Sequence, residues 1–246
     1  MCAAKAYNNS EVRYMIRVVW EHNGDDTLLH AVDYPGAYAR GASFAEAAAK
    51  MPGEVSAWLR WAGRTEEITP NIVVVEDVPC TLYVRDADSD VLLSADKEPL
   101  SRTEYDELKA LALRSAADFH ALYDSIPDKN ASCLPPRKSF YGDVPVTAEA
   151  MYVHTKSVND YYFGEIGVET DHEGDILACR ERGFAALESI PNFLNMPPIE
   201  GSYGEYWSLR KVLRRFIWHD RIHAKAMYRM AKKTFGTAAD VFRFDA

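Results

Sequence analysis

The spacing of apolar positions changes near residue 100, and the change divides the chain into two kinds of structure. Before it, short β-branched and aromatic runs are cut by turn residues. Val12 to Trp20 reads as a strand. Asn23-Gly24-Asp25-Asp26 marks a turn, and Leu28 to Val32 is placed to pair back as a second strand. Tyr34-Pro35-Gly36 punctuates the chain, and Ala37 to Arg40 reads as a short third strand. Ser43 with Glu46 forms a capping box that opens a helix over Phe44 to Trp61, with an interruption expected at Pro52-Gly53. Asn71 to Glu76 and Thr81 to Arg85 read as further strands, split by Pro79.

Asp86 to Pro99 is acidic and turn-rich, which suits a domain boundary. Its Asp86, Asp88 and Asp90 match the start of a calcium loop. The loop's glycine is missing, however, and Lys97 stands where a bidentate glutamate is required. After Pro99 the apolar spacing becomes three-four. Ser101 and Glu104 form a capping box, and Leu108, Leu111, Ser115, Phe119, Leu122 and Ile126 make a stripe that stops at Pro127. A second helix starts near Asp143 or Thr147 and runs to about Val168; a third covers Asp175 to Ile190. A fourth covers Glu205 to Phe235 and ends at Gly236. The predicted architecture is an α+β domain over residues 1–90, a small antiparallel sheet plus a helix. An all-α, up-and-down four-helix bundle over residues 91–246 follows it.

The fourth helix carries the candidate chemistry. Alternating steps of three and four give Leu209, Val212, Phe216, His219, His223, Ala226 and Met230, a row that must face the core. His219 and His223 are one turn apart on that face and can chelate one ion. The second helix offers the row Met151, His154, Val158, Tyr161 and Glu165, which adds His154 as a third imidazole. Three nitrogen ligands with open positions suit a catalytic divalent ion, and Zn²⁺, Ni²⁺, Fe²⁺ or Mn²⁺ all accept them. Asp220 is a candidate to orient a ligand through a hydrogen bond, and Tyr161 a candidate donor to substrate. His120 is a reserve ligand; His22 and His172 are expected in solvent, and His30 in a strand. The nine Lys and Arg residues from Arg210 to Lys233 read mostly as a solvated face.

Composition narrows the setting. The four cysteines are scattered, which argues for reduced thiols in a cytoplasm rather than a disulfide framework. The first residues have no signal-peptide core, and no apolar run approaches the ~18 residues that cross a bilayer. The net charge is −9, and residues 1–100 hold 9 Lys and Arg against 16 Asp and Glu. That balance makes a poor nucleic-acid binder. Neither a G-x-S-x-G nucleophile motif nor a phosphate- or dinucleotide-binding glycine loop occurs.

Met151 to Phe163 (MYVHTKSVNDYYF) and Leu209 to Met230 (LRKVLRRFIWHDRIHAKAMYRM) resemble the DinB-like family of metalloenzymes, over about Ser101 to Phe235. The resemblance implies an up-and-down four-helix bundle that binds a divalent metal through His154, His219 and His223. In that family the metal activates low-molecular-weight thiols in transfer or isomerisation reactions. Tyr14 to Leu59 is similar, more loosely, to HicB-like domains in its strand, hairpin, Pro-Gly, strand and helix plan. It departs from them in lacking a DNA-binding segment afterwards, so a partner-binding or scaffold role is implied. Two functions follow as expectations. One is a metal-dependent enzyme acting on a small-molecule substrate through water or a low-molecular-weight thiol. The other is a non-catalytic partner-binding protein; bundles of this size often form homodimers, though the sequence shows no decisive exposed apolar stripe.

Overall fold

A computed structural model describes residues 15–245 of the chain. The expected start of the first strand, Val12 to Tyr14, lies outside the described residues. Strand β1 spans Ile16–Asn23 and meets β2, Asp26–Ala31, across a tight turn in which Gly24 takes φ +59°. β3 is Tyr38–Gly41, and β4 is Ile72–Pro79. The sheet order is β3-β2-β1-β4. Helix α1, Phe44–Ala62, lies between β3 and β4 and is capped by the Ser43 side chain.

The sheet is mixed rather than antiparallel, because β4 runs parallel to β1 from Ile16↔Ile72 to His22↔Pro79. The cause is the connection. A 19-residue helix carries the chain back along the sheet, so the next strand enters from the end where β1 entered. Thr81 to Arg85 forms no strand: β4 ends at Pro79, and Val84–Asp86 is a single 3₁₀ turn. Proline at the end of an edge strand removes no ladder bond that the sheet requires. Helix α1 runs unbroken through Pro52. Met51, Val55, Trp58 and Trp61 are all fully buried on it, and this packing outweighs the ~3 kcal/mol cost of an interior proline.

Four helices follow: α2 Arg102–Asp124, α3 Ala148–Gly164, α4 Ile176–Glu188 and α5 Leu209–Phe235. Ser101, Thr147, Asp175 and Ser208 each accept a hydrogen bond from the amide three residues on, which fixes all four starts. α5 begins at Leu209 and not at Glu205, since Tyr206–Trp207 pair with Ile199–Glu200 in a two-residue ladder. Lys138–Ser139 and Gly142–Asp143 form a second such ladder.

One buried arginine joins the four helices. Arg180 of α4 donates from Nε to Asn159 Oδ1 of α3 at 2.9 Å and from Nη1 to the Ala112 carbonyl of α2 at 2.9 Å. It also forks onto Asp220 of α5 at 2.5 and 3.1 Å, where Ser115 of α2 donates to the same carboxylate at 2.5 Å. Arg180 and Asp220 are both fully buried.

The basic residues of α5 are not mostly solvated, as the sequence pattern implied. Lys211 and Arg221 are fully buried, and Arg214 and Arg215 nearly so. Lys211 donates to the Asp90 carbonyl at 2.7 Å, Arg214 pairs with Asp96 at 2.6 Å, and Arg215 donates to the Ser89 carbonyl at 2.5 Å. The acidic segment 86–99 is therefore clamped onto α5. Lys211, Arg214 and Arg215 each find a carbonyl or carboxylate on this segment, and Arg221 finds Glu54 of α1, which offsets part of the cost of burying the charges. A single apolar cluster contains Val18 and Trp58 from the sheet side as well as Phe119 and Phe216 from the helices. Trp61 Nε1 donates across it to Asp118 at 2.7 Å.

Candidate metal centre

His154 lies midway along α3, and His219 and His223 occupy successive turns of α5. The three rings converge. Their centroids are 5.1 Å apart for His154 and His219, 4.6 Å for His154 and His223, and 4.5 Å for His219 and His223. One nitrogen from each ring lies within 4.8 Å of the other two. Among the described residues, this is the one group of three or more His, Cys, Asp or Glu side chains so placed.

The environment holds the rings neutral. Burial pushes His219 well below the usual imidazole range, and the neighbouring His223, His154, Arg215 and Arg180 add to it. His223 is pushed down to about 3 by burial, then by His154 and Arg40. His154 is half-buried and is lowered by burial alone. A neutral imidazole keeps a lone pair for a Lewis acid, whereas an imidazolium does not. His219 Nδ1 is buried and has no hydrogen-bond partner among the described residues.

The two expected supporting residues are placed otherwise. Asp220 directs its carboxylate to Arg180 and Ser115, not to an imidazole. One residue is a 100° step around a helix, so the neighbour of an inward histidine need not share its direction. Tyr161 is 36% exposed and packs its ring against Trp207 and Tyr162. The tyrosine beside the site is Tyr162, fully buried but for 3%, with its ring edge-on to His219 at 6.1 Å. Of the row read in the sequence, Met151, Val158 and Glu165 are buried and His154 is half-buried; Tyr161 alone departs from it, Tyr162 taking the inward place, with Arg215 over its ring at 5.7 Å.

Tyr141, at the tip of the 138–143 ladder, stacks on His154 at 5.7 Å and 17° while remaining 44% exposed. Periodicity could not have found it, because it comes from a loop. Arg180 was legible in principle: it shares the inward row of Ile176, Phe184 and Leu187, where an arginine must find buried partners.

The remaining histidines have other partners. His120 faces Asp124 at 3.6 Å, and His172 meets Asp160 at 2.9 Å. His22 is not free in solvent but bonds Asp77 at 2.9 Å and stacks on Trp20. His30 is buried against Glu21 at 3.1 Å. Cys80, Cys133 and Cys179 are free thiols.

No family model, curated protein or solved structure matches the chain. Among the described residues, no helix is long and apolar enough to cross a membrane.

Proposed function

We propose that His154, His219 and His223 hold one divalent transition-metal ion, and that the protein is a metal-dependent enzyme for a small-molecule substrate. The observation that carries this reading is the bare Nδ1 of His219, buried among three neutral imidazoles. Leaving such an atom unpaired costs about 1–3 kcal/mol, and a cation removes that cost. The donor set fits. Three imidazole nitrogens lie within 4.8 Å of one another, and imidazole is a donor that divalent transition metals accept. Nitrogen ligands alone leave Zn²⁺, Ni²⁺, Fe²⁺ and Mn²⁺ as candidates.

When bound, such an ion supplies a Lewis acid that lowers the pKa of water or a low-molecular-weight thiol toward neutrality. Three neutral donors add no negative charge, so the site favours an anionic partner. His154, the most exposed of the three, marks the side from which substrate enters, with the Tyr141 ring against it. Tyr162, packed on Phe216, lies edge-on to His219 on the buried side.

The resemblance to DinB-like proteins rests on the same three histidines. Reading α2 to α5 as one up-and-down bundle is supported by the Arg180 network, which touches all four. A second, non-catalytic reading assigns partner binding to the sheet. It is favoured by β4, an edge strand whose Val74 and Val75 are exposed.

Elemental analysis of the purified protein tests the proposal. About one transition-metal ion per chain is expected in the wild type, and its loss in His219→Ala. Metal-free protein whose thermal midpoint does not respond to any of the four ions would overturn it and favour the second reading.

A further inference from the structure

We propose that a cleft of about 970 Å³ between β3, α1 and the C-terminal half of α5 binds a small organic molecule carrying two phosphoryl groups. Its size is at the upper end of ordinary small-molecule sites. None of the three histidines lines it, although the charge of Arg40 reaches His223 and helps to lower its pKa. The imidazoles of α5 face His154 of α3, whereas Lys225 on the other face of α5 pairs with Glu54 of α1. The inference does not depend on a metal being bound.

The charge of the cleft argues for the ligand. The protein carries −9 overall, yet seven basic side chains line this cleft against four acidic ones. Internal pairing does not use up the excess. Lys50 pairs with Glu46 at 2.5 Å, Lys232 with Asp245 at 2.6 Å, and Lys225 with Glu54. Arg85 leans on Asp26 at 3.4 Å. Three cations are left. The Arg40 guanidinium meets the Arg85 carbonyl at 3.0 Å and the Tyr38 ring, not a carboxylate. Among the described residues, Arg229 and Lys233 make no ion pair at all, and both are exposed.

A phosphoryl group carries about −1.5 to −2 at neutral pH, so two of them match three uncompensated cations. Arginine forks suit phosphate oxygens geometrically, and two of the three cations are arginines. Phe244 gives the cleft an aromatic wall for the organic body of the ligand. The Lys225 ammonium, 5.6 Å from the Phe244 ring and 4.4 Å from Tyr38, is already held by Glu54, so its charge is not counted among the three.

Calorimetric titration of chelator-treated protein with inorganic pyrophosphate tests this. Saturable one-site binding is expected, weakening as salt is raised. Arg229→Ala combined with Lys233→Ala should weaken it about tenfold, since two exposed charges are removed. Arg40→Gln should weaken it independently, and His219→Ala should leave it unchanged. Absence of saturable binding overturns the proposal, as does an affinity unaltered in both the double variant and Arg40→Gln. Equal thermal midpoints for wild type and variants show that the fold is intact. Loss of binding in His219→Ala would instead assign the anion to the histidine centre and also overturn it.

Discussion

At the scale of single residues, the candidate centre depends on what surrounds the rings more than on the rings themselves. Burial drives His219 and His223 toward the neutral form, and Tyr162, itself packed on Phe216, lies edge-on against the His219 ring. Gly36 sets the same helix in place from the other side. Its φ is +84°, and a Cβ there would meet Ile217 atoms at 2.5 and 2.9 Å, two residues from His219. Gly36→Ala combines left-handed strain with overpacking against a helix backbone. A loss of about 2–4 kcal/mol in chemical denaturation is expected. A loss under ~0.5 kcal/mol would mean that the turn and helix move apart freely.

At the scale of elements, the four C-terminal helices share an ionic core as well as an apolar one. Asp220→Ala would leave Arg180 buried among Asn159, Ala112 and Ser115 without its counter-charge. We expect a loss of about 3–5 kcal/mol. Replacing both members, as Arg180→Met with Asp220→Leu, should recover most of it, because the desolvation cost of both charges disappears. Denaturant midpoints of the single and double variants check this. Equal destabilisation of both would show that the network serves packing alone. Gly183 of α4 is a further close contact, since a Cβ there would enter the Phe163 ring of α3.

At the scale of the whole molecule, Glu54 connects the sheet side to the helical side. Buried on α1, it bonds Arg221 at 2.9 Å and also Lys225, both of α5. Burial alone would raise its pKa, but the two cations outweigh burial and hold the carboxyl below 4.5. A carboxyl with a depressed folded-state pKa stabilises above its unfolded value, and that contribution fades as pH falls through the folded value. The wild type should therefore lose stability below about pH 4.5. Glu54→Gln should lose roughly 3–5 kcal/mol at neutral pH, with Arg221 left buried and without its carboxylate. Its stability should fall less steeply in acid. Denaturation at a series of pH values reads both effects, and an unchanged acid slope would place the acid sensitivity elsewhere.

Local spacing was enough to place the helices, the caps at Ser43 and Ser101, and His219 and His223 on the buried row of α5, though it started α5 four residues early. Those features depend on residues three or four apart, which local backbone geometry brings together. Ser101 with Glu104, and the row from Leu209 to Met230, needed no knowledge of the rest of the chain. Contacts between distant segments set which cations on α5 are buried, that β4 runs parallel to β1, and that Asp220 serves Arg180 and not a histidine. They also put Tyr162, and not Tyr161, beside the rings. The partners concerned are far apart in the chain: Glu54 and Arg221 are separated by 167 positions. Periodicity says which side of a helix is buried, and it is silent about what covers that side.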